Sequence, residues 1–137
     1  MGIADSASHR HLHVACALIE QDGLLLAAQR SARTSIPLKW EFPGGKIEVG
    51  ESPQDCLHRE LWEELEVSVV IGRALFPSTH RYEDFTVTLY PFVCALTTAE
   101  IVLREHEEIR WLAPGELFTL DWAEADLPVL KDYLVGG

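Results

Sequence analysis

Residues 44–67 read GGKIEVGESPQDCLHRELWEELEV, and the pattern in this stretch constrains the fold more tightly than any other. Its second half is a helix with its start signals in place. Ser52 stands at the N-cap, Pro53 suits the first helical position, and Asp55 sits where a capping-box acid belongs. Leu57, Leu61 and Leu65 recur every four residues, so one stripe of the helix is apolar and must lie on a core. Glu60, Glu63 and Glu64 are spaced i, i+3, i+4 and project together from one face. The stretch holds the acids Glu48, Glu51, Asp55, Glu60, Glu63, Glu64 and Glu66 against only Lys46 and Arg59. Carboxylates at such separations repel unless something neutralises them. Carboxylate oxygens suit Mg²⁺ or Mn²⁺, hard cations that keep several waters and bridge to phosphates. A glutamate-rich helix face can also be plain solvated surface. Two neighbours favour the cation: Pro43-Gly44-Gly45, whose backbone can approach a ligand closely, and Glu51 just ahead of the cap.

Working outward, Leu12–Ile19 is apolar and reads as a buried strand, and Glu20-Gln21-Asp22-Gly23 carries the Asp-Gly hairpin signal before a partner at Leu24–Gln29. Arg30–Lys39 reads as loop, and Trp40–Phe42 as a brief strand broken at Pro43-Gly44-Gly45. Downstream, strands are expected over Val67–Ile71, Ser78–Tyr82, Thr86–Leu96 and Ile109–Leu112, with a turn at Glu83-Asp84. The tail from Pro114 should form one or two helices ending near Leu134. The pattern predicts an α+β fold, a mixed sheet with helices packed on it, as one domain over 11–137 behind a loose polar segment at 1–10.

Composition narrows the function. The 137 residues are 47% hydrophobic and 24% charged, an ordinary globular balance, with a formal net charge of −11. Such a field repels a phosphate backbone, so no nucleic-acid polymer is expected as partner. A phosphate-bearing small molecule needs a local reversal of sign, which a divalent ion supplies. Cys16, Cys56 and Cys94 are far apart and form no ligand pattern, so they read as buried core residues. No apolar run approaches a membrane span and the first ten residues hold no signal-like apolar block, which points to a reducing cytoplasm and no membrane partner. His9, His11 and His13 alternate at an exposed strand start, and Trp122 reads as an anchor for the last helix.

The stretch resembles the signature of the Nudix family, Gly-x5-Glu-x7-Arg-Glu-U-x-Glu-Glu-x-Gly-U with U apolar. Gly45, Glu51, Arg59, Glu60, Leu61, Glu63, Glu64 and Val67 match it, whereas the family's glycine is Glu66 here. That glycine ends the helix, often in a left-handed conformation that another residue adopts at a cost of about 1 kcal/mol. Trp40–Glu48, Gln29-Arg30, the Trp111 strand and Ala125–Leu130 extend the likeness toward the MutT branch. The resemblance implies an α/β/α sandwich with a mixed central sheet. It also implies Mg²⁺-dependent hydrolysis of a nucleoside triphosphate to monophosphate and pyrophosphate, by a monomer or homodimer.

The same likeness suggests roles. Glu60, Glu63 and Glu64 would hold metal, with Glu60 orienting or deprotonating the attacking water, Arg59 fixing a glutamate rotamer, and the Gly44 carbonyl completing the coordination. Glu105 corresponds to a further metal-approaching acid, with Glu107 and Glu108 as rivals. Arg30 would meet a phosphate; Glu41, Phe42, Pro43, Gly44 and Asp126 would line the substrate, the base near Phe42 and Trp40. Asp126 stands where MutT enzymes that act on 8-oxo-dGTP have Asn, and Ala-Asp-Leu-Pro is similar to the CTP pyrophosphohydrolase members. An ionised Asp only accepts, which pairs with an amine such as cytosine N4. Asp126 could instead cap the last helix. Other readings are a different nucleoside diphosphate derivative as substrate, or a non-catalytic nucleotide-sensing module.

Overall fold

The computed structural model describes residues 9–136. In chain order it contains β1 (Arg10–Gln21), β2 (Leu24–Gln29), β3 (Trp40–Glu41), β4 (Gly44–Lys46) and the helix α1 (Pro53–Leu65). There follow β5 (Val69–Ala74), β6 (Ser78–Arg81), β7 (Phe85–Leu96), β8 (Glu108–Leu112), 3-10 turns at Pro114–Thr119 and Glu124–Asp126, and α2 (Leu127–Leu134). Of the N-terminal segment expected at 1–10, residues 1–8 lie outside the described residues, and Arg10 already belongs to β1.

β1 and β7 run parallel, from Arg10–Phe85 to Glu20–Ala95, and form the spine of a mixed sheet ordered β3-β2-β1-β7-β5. The β1–β2 hairpin closes through Asp22 and Gly23, both left-handed at φ 54° and 79°, the geometry of a two-residue primed turn. On one side β2 pairs with the end of β1, while β4 takes Val14, Ala15 and Cys16 lower down. On the other side β5 follows the last part of β7 and β6 its first part. The sheet therefore forks on both flanks.

The alternation of β1 sends its side chains into two cores. Ala15, Ala17 and Ile19 pack with Cys56, Leu57, Leu61 and Leu65 of α1. Cys16 and Leu18 face Leu117, Trp122, Val129 and Leu130 from the C-terminal turns and α2. With a helical layer on each face, the mixed sheet expected from the pattern takes the α/β/α sandwich arrangement that the family resemblance implied. Each fully buried leucine of the α1 stripe contributes about 1.5–3 kcal/mol.

Besides extensions at the ends of β1, β5 and β7, three features differ from the sequence expectation. Gly44–Lys46 is a strand and not a break, because Pro-Gly-Gly here serves close backbone approach: a Cβ at Gly44 would lie 1.9 Å from the Ala15 carbonyl oxygen. β5 starts at Val69 because Glu66 and Val67 finish the helix, their amides donating to the Trp62 and Leu61 carbonyls. Much of the tail is 3-10 turn, with α2 confined to its last part. All three cysteines are free and buried. No helix among the described residues is long and apolar enough to cross a membrane.

Candidate active site

The acidic helix is set by its first turn. The Ser52 hydroxyl accepts the Asp55 amide at 3.0 Å, and Pro53 opens the helix. This places Arg59 amid carboxylates. Its Nε and Nη2 donate to the two oxygens of Glu51 at 2.8 and 2.9 Å, and its Nη1 to Glu60 at 2.7 Å and Glu63 at 3.2 Å. The bidentate pair holds the Glu51 carboxyl down at about 2, and the carboxylates keep Arg59 charged. Glu51 also accepts the Glu48 amide at 3.0 Å, which ties the loop to the helix. Gly45 matters for the same cluster, since a Cβ there would lie 2.3 Å from Glu60 Oε1. The glycine makes the space into which Glu60 folds.

Glu64 is held against its electrostatic preference. Burial, and then the charges of Glu41, Glu60 and Glu105, push its carboxyl up to about 9, with the Gly44 amide pulling the other way. Its Oε1 is buried and has no hydrogen-bond partner. Glu60 is also raised, because burial outweighs the Arg59 guanidinium. An orphaned, desolvated carboxylate oxygen near a second, half-buried carboxylate fits a hard divalent cation, so the donor set suits Mg²⁺ or Mn²⁺. Among the described residues no three such ligands already converge as a cage. Arg59 meanwhile engages Glu60 and Glu63.

Glu60 and Glu64 stand at the edge of a cavity of about 470 Å³ that brings together Gly44, Arg30, Glu41, Phe42 and Asp126. Glu63, Arg59 and Glu105 lie outside its wall, and so does Pro43. Pro43 is fully buried, and its carbonyl accepts the Ala17 amide at 2.8 Å. Its part is to join strands. Arg30 reaches the wall already engaged, with Nη1 on Glu41 at 2.7 Å and Nε on the Ile36 carbonyl at 3.0 Å. Glu41 spends its other oxygen on His106 Nε2 at 2.9 Å, so its carboxylate organises the wall.

Of the two aromatics expected near a base, Phe42 lines the cavity and Trp40 does not. Trp40 and Phe42 are core residues, and the Phe42 ring packs on Trp122 at 4.8 Å between centroids. Trp122 is an anchor as expected, its Nε1 donating to the Leu117 carbonyl. Further aromatic lining comes from Tyr82 and Phe85, whose rings lie 5.0 Å apart and tilted by 33°, together with the apolar Leu12, Val14, Val87 and Leu89. Sequence reasoning missed these; their signal was an aromatic on each side of Glu83-Asp84 and the alternate apolar positions of β1. Asp126 does not cap α2. It is buried, its Oδ2 accepts the Phe42 amide at 2.9 Å, and burial with the nearby Glu41 charge raises it well above the usual range. Burial therefore favours the protonated form of the Asp126 carboxyl.

Of the three loop acids, Glu108 pairs with Arg110 at 2.8 Å, and the Glu107 amide donates to the Gln29 carbonyl. Glu105 is exposed, and its charge adds to the upward push on both Glu60 and Glu64. His9, His11 and His13 pair with Thr86, Thr88 and Tyr90 across β1 and β7, away from the cavity.

Comparison with known proteins agrees with this geometry. Residues 9–133 match the NUDIX domain model. The CTP pyrophosphohydrolase of Escherichia coli K12 is 32% identical over 123 residues, covering 90% of this chain and 91% of the relative. A putative 8-oxo-dGTP diphosphatase 2 of Mycobacterium tuberculosis is 33% identical over 112 residues, covering 79% and 77%. The solution structure of the DNA mismatch repair protein MutT from methicillin-resistant Staphylococcus aureus 252 is 38% identical, covering 94% of this chain and 99% of that one, with a TM-score of 0.76. By sequence over nearly its whole length, by fold and by its helix of clustered carboxylates, the chain belongs to the Nudix family.

Proposed function

We propose that the chain hydrolyses nucleoside triphosphates to the monophosphate and pyrophosphate, acting on free cytoplasmic nucleotides. Nudix hydrolases generally use divalent metal ions. Here Mg²⁺ or Mn²⁺ would be held by Glu60, Glu63, Glu64, the Gly44 carbonyl and Glu105. The observation that carries this reading is the unpartnered Glu64 oxygen, with Glu60, on the wall of a cavity that also has apolar and aromatic lining. A polyphosphate tail with its counter-ion and a base need both kinds of surface.

A divalent ion, when bound there, would supply charge neutralisation for the phosphates and a lowered pKa for a nearby water. Glu60 orients that water in line with the phosphoanhydride bond and takes up its proton as the bond breaks. Arg59 holds the Glu60 rotamer through its 2.7 Å bond. Arg30, its Nε and Nη1 engaged, offers Nη2 to a phosphate oxygen. Tyr82 and Phe85 give the base its apolar surface.

Asp126 reads the base edge. Ionised, it only accepts, which suits an amine; in the protonated form that burial favours, it both donates and accepts. That pattern complements N3 with N4–H of cytosine, and equally O6 with N7–H of an 8-oxoguanine. Both are therefore candidate substrates, and their relative turnover separates the readings. Pyrophosphate release with Mg²⁺ should be measured for CTP, dCTP, 5-methyl-dCTP, 8-oxo-dGTP and dGTP. Glu60→Gln and Glu64→Gln should each lose about a hundredfold or more, and Asp126→Asn should shift the ratio toward 8-oxo-dGTP. Unchanged turnover in both glutamate variants overturns the hydrolase reading; an unchanged ratio removes Asp126 from base selection.

A further inference from the structure

At Glu66 the chain departs from its family's glycine, and the backbone there is left-handed, with φ 53° and ψ 42°. That conformation costs an L-residue what a glycine avoids. The side chain does something a glycine cannot: its carboxylate receives Nε and Nη2 of Arg104, from the loop between β7 and β8. Both partners are partly solvated, 61% exposed for Arg104 and 29% for Glu66, so the pair adds little to global stability. Its location gives it a different use. The same loop lies on the last turn of α1, where the Val102 amide donates to the Leu65 carbonyl at 2.9 Å and the Arg104 amide to the Glu64 carbonyl at 3.0 Å. These bonds satisfy carbonyls that a helix end leaves open. Two residues on, His106 is fastened to Glu41 at 2.9 Å. Glu105 is the residue between the two anchors.

We propose that the Glu66–Arg104 pair is a positioning clamp that seats the loop on the end of α1 and keeps Glu105 beside Glu60 and Glu64. This rests on the metal reading above and adds a residue pair to it. The strain at Glu66 is accepted because its carboxylate fixes the residue next to a ligand. Neither Glu66 nor Arg104 touches substrate or metal; both act through Glu105.

The test is Mn²⁺ binding to the metal-free protein without nucleotide, followed by electron paramagnetic resonance, with hydrogen exchange of the amides at 102–107 as second readout. Glu66→Gly and Arg104→Ala should each weaken Mn²⁺ binding about three- to fivefold and speed exchange at Arg104. Glu66→Gly relieves backbone strain, so its fold is retained. The exchanged pair, Glu66→Arg with Arg104→Glu, should restore both readouts. Glu105→Gln should weaken binding by at least as much, and adding Arg104→Ala to it should cost nothing further. If the parent binds Mn²⁺ and neither single variant shifts it, the clamp is overturned. An unshifted Glu105→Gln overturns it too, since the clamp then has no ligand to position. A parent that binds no Mn²⁺ fails the metal reading itself, a different result from a binding parent with unmoved variants.

Discussion

Glu64 shows what a single residue in this site sacrifices for its chemistry. Largely desolvated and with one oxygen unpartnered, its carboxyl sits at about 9 instead of the ordinary value near 4.5. A raised pKa of this kind favours the metal-free fold only while the group is protonated. The contribution is whole below the unfolded value and drains away as pH rises from about 4.5 through about 9. Glu64→Gln keeps the shape and removes the titration. Metal-free, that variant should melt above the parent by about 3 °C or more at pH 8, with the gap shrinking toward zero at pH 5. Calorimetry across that range checks the sign. The same substitution should abolish most turnover, so stability and activity move in opposite directions at one side chain.

At the scale of elements, the site depends on a helix and a strand that approach more closely than side chains normally permit. α1 presents Glu60 toward β4, and Gly45 is the reason the two fit, since a Cβ there would fall 2.2 Å from the Glu60 carboxyl carbon. Gly45→Ala should therefore push Glu60 out of its Arg59-held rotamer and lower turnover about tenfold to a hundredfold. Far-ultraviolet circular dichroism should stay unchanged, because the strand pairing of Ala15 with Gly45 uses backbone alone. The cap, the leucine stripe and the co-facial acids of α1 were legible in the sequence, because each depends on residues within one or two turns. The β4 strand was not. Gly-Gly after proline signals a break locally, and only the arrival of β1 alongside turns it into a paired edge.

Across the whole molecule, the cavity is assembled from segments far apart in the chain. The hairpin of β6 and β7 supplies Tyr82 and Phe85, and the 124–126 turn supplies Asp126. Tyr82 joins the two, its phenol oxygen accepting the Ala125 amide at 3.0 Å, while His80 meets Glu124 at the same distance. Tyr82→Phe removes that acceptor and leaves a backbone amide without its partner. It should cost about 1–2 kcal/mol of stability and raise KM for the preferred nucleotide several-fold while kcat holds, as steady-state kinetics would show. This clasp had no sequence signature, because residues 82 and 125 become neighbours only in the folded sandwich.

The sequence by itself determined the local chemistry: the capped amphipathic helix, three carboxylates on one face, the strand periodicities, and the family pattern through Arg59, Glu60, Glu63 and Glu64. These follow from spacing along the chain, which the 3.6- and 2-residue periods convert directly into faces. Tertiary structure alone decided the rest. It buried Phe42 and Pro43, brought Tyr82 and Phe85 to the cavity wall, paired Glu66 with Arg104, and raised the Asp126 carboxyl well above its ordinary range. Burial and charge state depend on what packs against a residue from elsewhere, and spacing along the chain carries no information about that.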